Sequence, residues 1–160
     1  MTGRRWTEFG VIGLGAISTN MHMPALKVLE KEGGVKIQGI CDIDRDRLGS
    51  AGDKFDIKNR FTNYREMIRS VPIDGILILS SPHFTIEIAT FCSENKKHLL
   101  IEKPPGMNLS QSRGIAELSR KSFLSRKTGD YLPHTIYNRS NNINTLDSRH
   151  NACYRCPCVF

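Results

Sequence analysis

No run of apolar side chains in this 160-residue chain approaches the roughly 18 that a helix needs to cross a bilayer, so no membrane partner is expected. A secretory leader is also missing. Arg4-Arg5 is followed by Trp6-Thr7-Glu8 and then directly by a strand-like segment, with no apolar core ahead of a cleavage site. The expectation is a cytoplasmic protein whose cysteines stay reduced. Cysteine is sparse over most of the chain. Cys41 and Cys92 stand alone in apolar stretches and read as buried small side chains. The other three of the five lie in Cys153-Tyr154-Arg155-Cys156-Pro157-Cys158, where His150 is the only further ligand nearby. Half of a zinc site is the functional reading of that cluster. With no second Cys/His pair at ligand spacing, no metal is expected. The net charge is +7, but the basic residues are dispersed. Arg4-Arg5 and Lys96-Lys97 are only pairs, not interleaved with aromatics, so nucleic acid is not expected as a partner. The length allows one domain with a real core and excludes a second full-sized one.

What is present begins at Phe9-Gly10-Val11-Ile12-Gly13-Leu14-Gly15-Ala16-Ile17-Ser18. A short apolar strand runs into a glycine-rich turn, and a helical pattern follows. Gly13 lacks a Cβ and can turn tightly, and Gly15 lets the main chain approach a pyrophosphate. The amides and dipole of the following helix favour an anion there. Ser18 stands where the usual pattern has a third glycine, and it is small enough for close helix–strand packing. The next strand, Val35 to Cys41, is closed by Asp42. That is slightly beyond the usual spacing for an acid that binds ribose hydroxyls, and a longer first helix accounts for the difference. The alternative for Asp42 is an N-cap before Arg45, a role that also suits Asp44.

Strand and helix patterns then alternate. Helical spacing spans Thr19 to Glu30, starting near Pro24 if the proline takes a first turn, and Gly33-Gly34 ends it. A helix is predicted over Arg45 to Phe55, a short strand at Arg60-Phe61-Thr62 and a helix over Tyr64 to Ser70. Asp74 to Leu79 is a continuous apolar strand of the kind buried on both faces. Ser80-Ser81-Pro82-His83 reads as a loop, Thr85 to Glu94 as a helix, and His98 to Ile101 as a strand closed by Glu102-Lys103-Pro104-Pro105-Gly106. A last helix opens at Leu109-Ser110, with Ser110 as its N-cap. The fold expected is α/β, a doubly wound parallel sheet of the Rossmann type with right-handed crossovers. Gly13, Asp42, Ser80 and Lys103 all fall at C-terminal strand ends, where such sheets bind ligands.

Together these residues resemble the N-terminal domain of the glucose–fructose oxidoreductase/inositol dehydrogenase (Gfo/Idh/MocA) family, over about residues 8 to 121. The likeness is carried by Val11-Ile12-Gly13-Leu14-Gly15 with His22-Met23-Pro24-Ala25-Leu26, by Gly39-Ile40-Cys41-Asp42, by Ser81-Pro82 with Glu87-Ile88-Ala89, and by Glu102-Lys103-Pro104. The resemblance implies NAD or NADP as cofactor, with NAD favoured because Asp42 would repel a 2′-phosphate. Arg45 and Arg47 are the residues that could reach one. It further implies that Gly13, Gly15, Ala16 and Ile17 line the pyrophosphate and that Asp42 holds the adenosine ribose. Ser80, Ser81 and Pro82 would flank the cofactor across the crevice. Lys103, with Glu102 beside it, would sit near the nicotinamide and touch the hydroxyl of a small polyol or cyclitol. An ammonium there stabilises a developing alkoxide, and desolvation tunes its pKa. The alternative for Lys103 is a lysine that merely covers a strand end.

The chain departs from the family pattern in three places. The loop after Pro82 is one residue short, with Thr85 or Ile86 where a histidine before Glu87 belongs and His83 as a partial substitute. The sixth strand should begin after Lys121-Ser122, yet Phe123 to Asp130 is polar and unpatterned, so the sheet is expected to be incomplete at its C-terminal edge. Third, no C-terminal substrate domain of the family is expected within this length. These features divide the chain into an NAD(P)-binding domain over 8–122 and an irregular tail over 123–160, rich in asparagine at Asn138, Asn141, Asn142 and Asn144. A frameshift, retained intron or early stop would explain the tail. The function expected is that of an oxidoreductase's dinucleotide-binding domain, with turnover by this chain alone doubtful. The alternative is a non-catalytic binding module that pairs with full-length relatives.

Overall fold

A computed structural model describes residues 7–121. The readings that concern the tail, its cysteines and the sixth strand lie outside the described residues. Five parallel strands form one sheet in the order β3-β2-β1-β4-β5: β1 (Thr7–Ile12), β2 (Val35–Cys41), β3 (Arg60–Phe61), β4 (Gly75–Ile78) and β5 (His98–Ile101). The helices between them are α1 (Met23–Lys31), α2 (Arg45–Lys54), α3 (Tyr64–Ser70), α4 (Pro82–Glu94) and α5 (Leu109–Lys121). The doubly wound Rossmann architecture is therefore present, and β5 is an edge strand among the described residues.

Two cores follow from the period-two alternation of the strands. Val11, Leu77 and Leu79 pack with Leu48, Ala51 and Phe55 of α2 and its end. Ile12, Ile76 and Ile78 pack on the opposite face with Met67 and Ile68 of α3 and Ile88, Ala89 and Cys92 of α4. Leu100 joins the first core, and Leu99 and Ile101 join the second. Ile37 and Ile40 share a core although three residues apart. The register explains this: Phe9 pairs with Ile37 but Gly10 pairs with Gly39, so Gln38 is an extra residue that rephases the strand. Cys41 and Cys92 are buried as expected, and burial pushes each thiol up to about 12.

Helix boundaries follow the sequence reading at Pro24, where α1 opens at Met23, and correct it in two other places. A π-turn, Ser18–His22, runs straight into α1, and the Met23 N–H reaches back five residues to the Ser18 carbonyl. Pro24 has no N–H and its ring crowds the carbonyl four residues back. The widened turn makes room for it without breaking the helix. By contrast, α4 begins at Pro82 rather than Thr85, with proline in the first helical positions where its missing N–H costs nothing. Finally, Ser110 is not the cap of α5. Asn108 is, its Oδ1 accepting from the Gln111 N–H at 3.0 Å.

Asp44, not Asp42, caps α2 by accepting from the Asp46 and Arg47 amides. Asn63 caps α3. Between α3 and α4, the Tyr64 hydroxyl and the Arg65 guanidinium each donate to Glu87 Oε1 at 2.9 Å. Arg65 also lies 4.6 Å from the centre of the Phe91 ring. Hydrogen bonds from Tyr64 and then Arg65 hold the Glu87 carboxyl below its ordinary value of 4.5. A carboxylate lowered on folding stabilises fully above its unfolded pKa, and the gain disappears as pH falls through the folded value. The melting-temperature gap between the wild type and Glu87→Gln should therefore be constant from neutral pH down to about 5 and close below it. A gap that stays level to pH 3 would contradict the assignment.

Candidate functional site

The C-terminal ends of β1, β2, β4 and β5 bring the sequence-selected residues to one edge of the sheet. The chain reverses its winding between β1 and β4, and crevices at such a switch point bind ligands. Gly13 sits at the end of β1 with φ +94°, and its N–H donates to the Cys41 carbonyl at 2.8 Å. A Cβ built on it would lie 2.7 Å from the backbone of Leu79 and Ser80. Only glycine lets this turn back onto the end of β4. Gly15 differs, since a Cβ there would meet nothing within 4 Å. The space in front of Gly15 is open, and the helix that starts just beyond it, where Thr19 N–H bonds the Gly15 carbonyl at 3.0 Å, directs its first amides that way. Ala16 and Ile17 are exposed beside it.

Asp42 is buried, 7% exposed, at the end of β2. Its Oδ2 accepts from the Leu14 N–H at 2.7 Å, and its Oδ1 accepts from the Asp44 N–H at 2.9 Å. Arg47 approaches the same Oδ1 at 3.3 Å and also pairs with Asp44 at 3.4 Å. The carboxylate thus ties the glycine turn to β2 and still has lone pairs to offer a hydroxyl. Of the two basic residues weighed for a 2′-phosphate, Arg47 is committed to these acids. Arg45 instead lines a shallow recess of about 390 Å³ with Leu48, Arg60 and Phe61.

Across the crevice, the hydroxyl oxygen of Ser80 is buried without a hydrogen-bond partner, as is that of Ser18 on the helix side. Buried hydroxyls normally find partners, and these two stand on either side of the Gly13 turn. Open space at Gly15 and two unpartnered hydroxyls fit a bound dinucleotide. Ser81 precedes α4, and its hydroxyl meets His83 Nδ1 at 3.1 Å instead of capping the helix. Pro82 is half-buried, and His83 is exposed. Thr85 is 1% exposed with its hydroxyl turned to the Ser81 carbonyl at 3.4 Å. Neither Thr85 nor the partly buried Ile86 offers the imidazole that the family pattern has before Glu87.

Glu102 and Lys103 follow β5, and the Lys103–Pro104 peptide is cis. Lys103 is not desolvated as the sequence reading supposed. Its side chain is 91% exposed, with Nζ 3.9 Å from Glu102 Oε1. Glu102 is the better-anchored group. Its Oε1 accepts from the Lys103 N–H at 2.9 Å, and its Oε2 lies 2.7 Å from Nε2 of His22. Burial raises its carboxyl, but the His22 and Lys103 hydrogen bonds and charges outweigh that and leave it below its ordinary value. The His22 contact joins positions 80 apart. The sequence marked both residues within family blocks but had no signal that they touch.

A parallel sheet with a glycine turn, an acid after β2 and a lysine after β5 at one switch point defines a dinucleotide-binding domain. The profile of the oxidoreductase family with an NAD-binding Rossmann fold, Gfo/Idh/MocA, matches residues 7–124, and the chain belongs to that family. Myo-inositol 2-dehydrogenase of Thermotoga maritima is 31% identical over 122 residues, which is 76% of this chain and 35% of that protein. A probable dehydrogenase from Thermotoga maritima superposes with a TM-score of 0.64 at 30% identity, over 72% of this chain and 33% of that one. An Agrobacterium radiobacter oxidoreductase, solved with NAD+, L-tartaric acid and magnesium, shares the fold with a TM-score of 0.68 at 23% identity, over 74% of this chain and 33% of its own. The chain spans about a third of the length of the curated relatives it matches. Among the described residues, no helix is long and apolar enough to cross a membrane, and no group of His, Cys, Asp or Glu could hold a metal ion.

The two glycines should separate experimentally. Gly13→Ala forces a Cβ into the β4 backbone at a positive φ and should cost about 3 kcal/mol or more of stability. Gly15→Ala meets no protein atom and should melt within about 2 °C of the wild type while losing NADH binding. Thermal melts and a fluorescence titration of both variants check this. Equal losses of stability would refute the assignment of Gly15 to the cofactor.

Proposed function

We propose that residues 8–122 form a domain that binds NAD along the crevice from Asp42 to Lys103, and that the parent reaction oxidises a secondary alcohol of a cyclitol, sugar or related polyol. The observation that carries this reading is the glycine turn held between Asp42 and the end of β4, with open space at Gly15 in front of it. Gly13, Gly15, Ala16 and Ile17 take the pyrophosphate. Asp42 accepts from the adenosine ribose hydroxyls, and Ser80, Ser81 and Pro82 with Glu102 line the nicotinamide half. Bound there, the nicotinamide supplies a hydride acceptor. Lys103 presents a mobile ammonium to the substrate oxygen and steadies the charge that builds on it as hydride departs. The name of the Thermotoga maritima relative supports a cyclitol as substrate.

NAD is favoured over NADP because Asp42 is an acid held in place by two backbone amides. A 2′-phosphate would meet that charge, and Arg47 is already shared between Asp42 and Asp44. Turnover needs both reactants held in line, and the chain matches 35% of the Thermotoga maritima relative's length. A cofactor-binding module that pairs with longer relatives is the second reading, and the exposed apolar residues Ile17, Met21, Val28 and Leu29 along the first helix favour it.

Calorimetric titration of the 160-residue chain should show saturable NADH binding with NADPH at least about tenfold weaker, roughly the effect of one unpaired charge contact. Asp42→Asn should narrow that gap to about threefold. Tighter binding of NADPH, or no binding of either, would reject the proposal. Sizing with and without a full-length relative decides the second reading.

A further inference from the structure

We infer that His22 is a positioning residue for the nicotinamide half of the crevice, acting through Glu102 on the Lys103 loop. The inference rests on the cofactor reading above. Sheet order puts the two halves of the crevice on either side of the β1–β4 switch point. Asp42 holds the glycine turn from the β2 side. On the other side the chain after β5 has one backbone tether, the Glu102 N–H to the Ile78 carbonyl at 3.0 Å. It also has one side-chain tether across the crevice, His22 Nε2 to Glu102 Oε2 at 2.7 Å. Both side chains of that pair are mostly covered, 29% and 26% exposed. The same Glu102 carboxylate, through Oε1, takes the Lys103 N–H. One side chain from the helix after the glycine turn therefore fixes, through one carboxylate, the backbone from which Lys103 projects.

The local structure shows why His22 can do this. Ser18 and Met23 are five residues apart and both fully buried, whereas on a regular α-helix such residues point about 140° away from each other. The π-turn closed by Met23 N–H on the Ser18 carbonyl permits it. Removing the extra residue would rotate the segment about 100° relative to α1 and carry His22 off Glu102. Pro24 requires room in that turn, so the His-Met-Pro sequence reads as one device. The proline keeps the turn wide, and the wide turn aims the histidine. Wide turns inserted in α-helices are frequent at functional sites.

The charged groups acting on Glu102 are His22, from the π-turn, and Lys103, from its own loop. His83, the other imidazole near this edge, is engaged with Ser81. A carboxylate only accepts, so the clamp needs an N–H at His22 Nε2.

The test compares NADH with ADP-ribose, which has the adenosine and pyrophosphate but not the nicotinamide. His22→Phe should weaken NADH about tenfold, the loss of one hydrogen bond to a charged group, and leave ADP-ribose within about twofold. His22→Gln, which keeps an N–H at similar reach, should restore NADH binding to within about threefold. Glu102→Leu should lose at least as much NADH affinity, and the double variant His22→Phe/Glu102→Leu should be no worse than Glu102→Leu alone, because the histidine then has no acceptor left to hold. Parallel weakening of NADH and ADP-ribose would show a merely structural role and overturn the proposal, as would unchanged NADH binding in His22→Phe. If His22→Phe fails to melt cooperatively, His22→Ala, which also removes the N–H, decides between the same two outcomes. A wild type that binds neither probe would instead bring down the cofactor reading itself.

Discussion

A buried carboxylate meeting a backbone amide organises the rest of this site. Asp42, at the end of β2, accepts the Leu14 N–H from the middle of the glycine turn. A carboxylate this covered is costly unless its oxygens are satisfied. Here backbone amides and Arg47 satisfy both oxygens. The turn is held from one side by this bond and from the other by the end of β4, which packs against Gly13 with no room for a side chain. The first helix leaves the turn in the direction set by those two constraints, and everything at the crevice is measured from it.

The same edge shows a difference between its two halves. On the β2 side the groups are backbone and a short, buried acid, held by backbone amides without any ligand. On the β5 side the anchoring group is Glu102, whose partner comes from the π-turn, while the lysine itself stands in solvent.

Legibility in the sequence followed the range of the interaction. Apolar runs such as Ile76-Leu77-Ile78 identified strands buried on both faces, and alternation of strand and helix patterns led to the parallel sheet. Asn63 and Asp44 cap their helices through contacts two or three residues away, and such short-range chemistry is in principle readable. Even so, the choice between Asp42 and Asp44 as cap stayed open, because either residue type serves. Ser110 misled for the same reason, since Asn108 competes for the same role and has the better reach.

What the sequence determined by itself was the alphabet of the site: a strand–glycine turn–helix, an acid after the second strand, serines after the fourth and a lysine after the fifth. Period and turn chemistry are local properties, and the residues declare them without a partner. Only the tertiary structure decided how those groups are wired. It turned Asp42 onto the glycine turn, placed an extra residue at Gln38 that brings Ile37 and Ile40 into one core, and set His22 against Glu102. Each of these depends on which strand ends lie side by side. That order is set by packing the two faces of the sheet, and no short stretch of sequence contains it.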